Sequence, residues 1–499
     1  MADINLHFLD YSHAKVECDD DVYMMLRDHL SFFAEGYQFN PKFRYGSWDG
    51  KIRLLEYDRK VPIGLVSYVK KFASNMDYSI WVDPNLETKS TLTRELFDKW
   101  LAKLEIYSGG NRIQPHWYQA DSVYKAIIEK RAILNLPTSA GKSLIQALLT
   151  RYYLQTKEGK VLILVPNTSL VTQMKSDLID YRLFHSDDIA ELRGGKKPGD
   201  EAVVIATWQS AIKQPLEWFE QFGMLLCDEM HLAIGKSIST IIKALVHCEY
   251  KAGLTGSLRD GKANLMQYQS LFGEVFKPVS TAQLMEEGQV TNLDINCIIL
   301  EYPDKVKQVA KGLDYQSEIK AITNYKPRNT FICNVALTLA KKGENAFLMF
   351  KHVEHGKALH AEIKAKYDKV YYVSGEVDAD TRDALKRMAE AETGVIIVAS
   401  YGVFSTGISV KNLHHVLLAH PVKSAVIIKQ TIGRVLRKHD SKSVAKVWDF
   451  IDDFSTTKVS KSTGKSSRSN VNYALKHGLE RIKIYITEKF NYTTKKFKL

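Results

Sequence analysis

What most constrains the fold of this 499-residue chain is a pattern that occurs twice: short apolar runs of strand length, separated by longer stretches with helical spacing. The first series occupies 132–136, 161–165, 202–206 and 224–227; the second occupies 346–350, 370–373, 395–399, 415–419 and 445–450. An apolar run without alternation is buried on both faces, the condition of a strand in a parallel sheet covered by crossover helices. Two such series imply two α/β sheets in tandem. The length agrees, since it exceeds what one hydrophobic core ordinarily serves.

The flanks read differently. Residues 19–36 combine an acidic start with apolar positions at helical spacing (Val22, Met25, Leu26, Leu30, Phe33) and Gly36 as a stop. Residues 43–57 read as two strands around Asp49-Gly50, and 65–76 and 92–106 as further helices. The expected division is a small α+β domain over 1–110, α/β lobes over 111–295 and 296–454, and a basic extension over 455–499. Within that extension, 455–470 has the Ser/Thr/Lys/Gly composition of a flexible loop. Beyond it, Leu475, Leu479, Ile482, Ile486 and Phe490 fall on one predicted helix face.

Charge is concentrated in the same place. The extension holds eleven Lys and Arg against Glu480 and Glu488, and so carries +9 of the whole chain's +12. Lys458, Lys461, Lys465 and Arg468 are its candidate phosphate contacts. The five cysteines form no C-x-x-C pair, which argues against a zinc ribbon or a disulfide framework and for buried apolar fillers. No apolar run reaches about 18 residues and the N-terminus lacks a signal pattern, so a cytoplasmic protein without membrane contact is expected.

Two segments carry chemistry. Leu136-Pro-Thr-Ser-Ala-Gly-Lys-Ser143 directly follows a predicted strand and opens a helix, as a P-loop does. Backbone N–H groups of Thr138, Ser139, Ala140 and Gly141 and their neighbours would line such a cradle, Pro137 contributing only its shape. Lys142 would meet the β- and γ-phosphates, and the Ser143 hydroxyl would ligate Mg²⁺. Leu136 and Ser139 stand where glycine is common. Further on, Cys227-Asp-Glu-Met-His231 ends another predicted strand and forms a DExH box. There Asp228 would hold Mg²⁺ and Glu229 would orient and deprotonate the attacking water.

Other motifs follow in order: Tyr118-Gln119, Pro166-Asn-Thr-Ser-Leu-Val-Thr-Gln173, Thr207-Trp-Gln-Ser210 and Thr255-Gly-Ser257 in the first lobe. The second lobe has Leu348-Met-Phe350 with His352, Ser374-Gly375, Ser405-Thr-Gly-Ile-Ser409 and Gln430-Thr-Ile-Gly-Arg-Val-Leu-Arg437. From 119 to 437 the chain therefore resembles the superfamily-2 DExH helicases. The segments 272–276 and 282–288 narrow the resemblance to the branch of type III restriction subunits, XPB-type repair helicases and phage recombination helicases.

The resemblance implies two RecA-like lobes using ATP and Mg²⁺, with Gln119 reading adenine. Gln430, Arg434 and Arg437 would act on the phosphates, the two arginines sharing a helix face, and Thr168, Thr207 and Thr406 would contact a strand. It further implies a DNA motor for recombination, repair and replication, acting on branched DNA, single-stranded DNA and RNA–DNA hybrids. The protein would be a monomer in solution, in the host cytoplasm if phage-encoded. Three rival readings remain: an RNA helicase, a strand-annealing protein with a regulatory ATP site, and a nuclease built on Asp304, Glu318 and Lys320.

Overall fold

A computed structural model describes residues 2–87, 90–195, 199–233, 235–258, 262–377, 379–406, 410–459 and 466–499. The chain forms two compact units, Met1–Leu136 with Ala140–Pro278, and Pro137–Ser139 with Val279–Leu499.

The first unit opens with strands β1 (Ile4–Phe8) and β2 (His13–Cys18), helix α1 (Asp20–His29), strand β3 (Lys60–Pro62), helix α2 (Val66–Asn75) and strand β4 (Ile80–Val82), the sheet running β3-β2-β1-β4. Leu6, Val16, Leu26, Val69 and Phe72 are in its core. The two strands expected within 43–57 are replaced by a short helix, Pro41–Arg44, and by Lys51–Arg53, which pairs with Ser31–Phe33. The reason is local: the Asn40 side chain accepts from Lys42 N, and Pro41 occupies the first helical position.

The unit continues with helix α3 (Trp117–Glu129), β5 (Arg131–Asn135), α4 (Lys142–Thr156), β6 (Lys160–Val165), α5 (Thr168–Asp180), β7 (Ile189–Leu192), β8 (Val203–Thr207), β9 (Phe222–Cys227), β10 (Tyr250–Thr255) and β11 (Val275–Phe276). All strand pairs are parallel, in the order β7-β8-β6-β9-β10-β5-β11. The small sheet is tied to this lobe by buried cations. Lys251 of β10 donates to Tyr11 O, Ser12 Oγ and Ile242 O, and burial pulls its pKa down to about 7.

The second unit holds β12 (Asn292–Glu301), α6 (Tyr315–Thr323), α7 (Lys326–Lys341), β13 (Ala346–Phe350), β14 (Val370–Val373), β15 (Ile396–Ser400), α8 (Tyr401–Thr406), β16 (His415–Leu418), α9 (Ala425–Val435), β17 (Val444–Asp453), α10 (Tyr473–Thr487) and β18 (Asn491–Lys498). Its sheet is also wholly parallel, ordered β14-β15-β13-β16-β17-β12-β18. The expected tandem α/β sheets are thus both present.

The C-terminal extension is more built than its composition suggested. Thr456–Val459 pairs with Ser466–Ser469, and β18 completes the second sheet along β12. Helix α10 buries Ala474, Leu475, His477, Gly478, Arg481 and Tyr485, whereas Leu479 and Ile486 are 41% and 57% exposed, so the docked face differs from the expected one. An ion pair decides it: Arg481 binds both carboxylate oxygens of the buried Asp449, and Tyr485 donates to the same group. Apolar spacing cannot register such a contact. Of the cysteines, Cys227, Cys248, Cys297 and Cys333 are buried, Cys18 is partly exposed, and all five are free. Among the described residues no helix is long and apolar enough to cross a membrane.

Candidate active site

In the first unit, the strands that lead into the P-loop and into the DExH box, β5 and β9, both end at the carboxyl edge of the parallel sheet, the usual ligand edge of α/β folds. The P-loop leaves β5 and enters α4 at Lys142, whose Nζ lies 3.5 Å from Leu136 O. Gly141 (φ 72°) and Ser139 (φ 77°) both adopt the left-handed conformation. That accounts for glycine being common at the position of Ser139 in the resembling family, since a Cβ there is strained.

Gln119, 4% exposed, braces this loop. Its Oε1 accepts from His116 N and its Nε2 donates to Ala140 O, each at 2.9 Å. Gly141 is needed for a second reason, because a Cβ there would lie 2.3 Å from Gln119 Nε2.

Asp228 and Glu229 follow β9. Burial first, and the neighbouring Glu229 charge second, hold the Asp228 carboxyl above the usual carboxylate range, while the Lys142 charge acts in the opposite direction. Asp228 Oδ1 is buried with no hydrogen-bond partner among the described residues. Glu229 sits at φ 47°, a left-handed conformation costly for a residue with a side chain.

Residues outside the expected site complete it. His231 Nδ1 is 3.1 Å from both Glu229 Oε2 and Thr255 Oγ1, and Thr255 Oγ1 also accepts from Ser257 N at 3.2 Å. Tyr268 OH donates to His231 O at 2.8 Å. The DExH box and Thr255-Gly-Ser257 are one hydrogen-bonded network. The motifs were visible in sequence; this link between them was not.

The expected strand contacts lie at neighbouring strand ends. Thr207 is the registered partner of Val165, three residues before Thr168. Thr168 is exposed at the start of α5. Thr207 is buried, and its hydroxyl caps the following turn by accepting from Ser210 N.

In the second unit, Gln430 and Arg434 lie on α9, which Ser424 caps. The helix ends at Val435 with Leu436 as its cap, so Arg437 lies beyond it rather than on a shared helix face. The Arg434 guanidinium is 5.6 Å from the Phe404 ring centre. The loop before α9 is fixed by buried donors: Arg328 to Ala419 O, Tyr401 to His420 O and Arg481 to Val422 O. At the other end, Lys442 donates to Val435 O and Leu413 O, each at 2.7 Å.

Thr406 ends α8, and 407–409 lie outside the described residues. Lys458 and Arg468 belong to the paired strands of the extension, whereas Lys461 and Lys465 lie outside the described residues. The nuclease grouping is not assembled. Glu318 is 2% exposed and accepts from Asn472 Nδ2, Tyr473 N and Ala474 N as the cap of α10, while Asp304 and Lys320 are exposed.

Comparison with known proteins places this geometry in a family. Residues 3–83 match the N-terminal domain of the DNA helicase UvsW, 95–260 the res subunit of type III restriction enzymes, and 328–439 the helicase conserved C-terminal domain. The ATP-dependent DNA helicase uvsW of Enterobacteria phage T4 is 59% identical over 498 residues, covering 99% of both chains. The DNA 3'-5' translocase XPB2 of Sulfurisphaera tokodaii is 23% identical over 369 residues, covering 67% of this chain and 81% of that protein. A crystal structure of T4 UvsW aligns over 99% of both chains with a TM-score of 0.54 at 56% identity.

Proposed function

We propose, from the premise that this chain belongs to the UvsW family of superfamily-2 helicases, that it is an ATP-dependent DNA helicase acting on branched DNA. The observation that carries the reading is that Lys142 opens the helix that follows β5 and its loop, while Asp228 and Glu229 directly follow β9, both at the carboxyl edge of the same parallel sheet. ATP seats its phosphates on the loop of Pro137, Thr138, Ser139, Ala140 and Gly141, with Lys142 on the β- and γ-phosphates and Gln119 at the adenine. Glu229 takes a proton from the water that attacks the γ-phosphorus. Arg434 and Arg437, with Gln430, act as the arginine fingers of the second lobe, offsetting the charge that phosphoryl transfer develops.

The buried Asp228 oxygen and the Ser143 hydroxyl form an all-oxygen set that suits Mg²⁺. Held by them, the ion would neutralise charge on the β- and γ-phosphates.

Thr168, the turn capped by Thr207, and Thr406 lie along the path of the tracked strand, where backbone rather than base contacts give little sequence preference. Residues 1–110 serve as an accessory nucleic-acid-binding domain. Their support is a surface on which Phe33, Phe39 and Tyr45 are 49%, 76% and 86% exposed beside the exposed Lys42 and Arg44, the aromatic and basic mixture that stacks on and neutralises nucleic acid. The extension, with Lys458, Lys461, Lys465 and Arg468, adds sequence-independent grip. The motor works as a monomer on forks, Holliday junctions, single strands and RNA–DNA hybrids in host cytoplasm.

The test is ATP turnover of the full chain on single strands, duplexes, forks, Holliday junctions and RNA–DNA hybrids, with Lys142→Ala as the inactive reference. Greatest stimulation by forks and junctions is expected. Equal stimulation by unbranched duplex RNA, or turnover that survives in Lys142→Ala, overturns the reading.

A further inference from the structure

A contact to the P-loop from a distant part of the chain has no counterpart in the motif series. The Ser143 hydroxyl lies 2.8 Å from the Tyr181 hydroxyl, 38 residues further on. Tyr181 is the C-terminal cap of α5. Its phenol hydroxyl can accept as well as donate.

The tyrosine is held from several directions. Its N–H donates to Asp177 O at 3.0 Å, and its carbonyl accepts from Tyr107 N at 3.3 Å. Tyr107 belongs to a short ribbon in which Ile106–Ser108 pairs with Asn111–Ile113. The Asp180 carboxylate accepts from Gly109 N of that ribbon at 2.9 Å, and the Arg182 guanidinium lies 4.1 Å from the Tyr107 ring centre. The ring thus reaches Ser143 from a backbone fixed on both sides.

A serine that ligates a cation uses an oxygen lone pair for the metal, and its proton must go to another acceptor. The direction of that O–H bond sets the direction of the remaining lone pairs. Partners of metal ligands act in this way, and their loss typically weakens metal affinity about 10–100-fold.

We propose that Tyr181 is a positioning residue for the Mg²⁺ that accompanies ATP, accepting the Ser143 proton so that the serine lone pairs face the ion. The proposal rests on the reading of Ser143 as a ligand of that ion. It has a consequence for coupling. Helix α5 carries the proposed strand contact Thr168 at its first residue and Tyr181 at its cap, so the strand path and the metal ligand share one helix about 20 Å long.

The test is equilibrium binding of a fluorescent, non-hydrolysable ATP analogue to the full chain in Mg²⁺ and in EDTA, comparing wild type, Tyr181→Phe, Ser143→Ala and the double variant. Removing only the phenol oxygen is expected to weaken binding in Mg²⁺ by about tenfold or more, to leave binding in EDTA unchanged, and to add nothing on top of Ser143→Ala. An equal Mg²⁺ dependence in wild type and Tyr181→Phe overturns the positioning role and leaves the ATP site standing. Equal losses in both media, or additive losses in the double variant, overturn it as well, since they mark general damage to the loop. A wild type whose nucleotide affinity ignores Mg²⁺ overturns both the inference and the reading beneath it.

Discussion

Gln119 spends both ends of its amide within the protein, accepting from His116 N and donating to Ala140 O of the P-loop. A residue expected to read adenine is therefore also a brace for the phosphate cradle. Gln119→Ala should raise the KM for ATP and, by leaving buried partners unsatisfied, cost roughly 1–3 kcal/mol of stability. Gly141→Ala, which meets the same amide from a left-handed backbone, should abolish nucleotide binding. ATP titrations and urea unfolding of both variants check this; an unchanged KM in Gln119→Ala would refute the brace.

Arg434→Ala should bind nucleotide nearly as wild type and turn it over about 10³-fold more slowly, because an arginine finger acts on charge that develops in the transition state. Nucleotide affinity and single-turnover rates measured side by side make the comparison. Equal losses in the two would assign Arg434 a structural role.

Stability should fall as the pH drops below about 6.5. Burial holds His355 down to about 3 and His420 to about 2, with Arg328 and His352 adding to the effect at His355, and His355, His352, Arg328 and Lys351 adding to it at His420. Below 6.5 the unfolded chain takes up protons that the folded chain refuses, so each imidazole removes up to about 1.4 kcal/mol per pH unit across that window. Urea unfolding between pH 4 and 6.5 should give a shallower slope in His420→Gln. An identical slope would show that His420 does not contribute.

Glu318 caps α10 through three accepted hydrogen bonds, and its loss should act on stability alone. Glu318→Ala is expected to cost on the order of 1–3 kcal/mol without changing how DNA is processed. Mg²⁺-dependent digestion of DNA by wild type that disappears in Glu318→Ala would revive the nuclease reading.

Neutralising Lys458, Lys461, Lys465 and Arg468 together should leave unstimulated ATPase intact and weaken junction binding. The slope of log K against log salt should fall by up to about 0.9 per lost duplex phosphate contact. Salt titrations of wild type and quadruple variant decide it, and an unchanged slope with unchanged affinity moves the DNA grip to the lobes or the N-terminal domain.

The site was more legible than its supports. Lys142, Ser143, Asp228 and Glu229 announce themselves because phosphate chemistry demands particular groups at fixed offsets from a strand end, a local requirement written in adjacent residues. Positions of strands such as 346–350 and 370–373 were equally plain, since unbroken apolar runs have few other uses. Strand β18 leaves no apolar signature because Asn491–Lys498 is polar and almost wholly exposed, paired on one side only. The docked face of α10 departs from the apolar stripe because Arg481 is buried there by Asp449, and the strands expected within 43–57 yield to the cap at Asn40.

By itself, the sequence determined the class of fold, the positions of the strands that read as unbroken apolar runs and the residues able to handle a nucleotide, all of which follow from spacing over a few residues. Only the tertiary structure decided which side chains support them: His231 joined to Thr255, Gln119 to Ala140, Tyr181 to Ser143. These partners stand 24, 21 and 38 residues apart. Hydrogen bonds act over about 3 Å, so such pairs exist only once packing has brought remote segments together, and no local pattern records them.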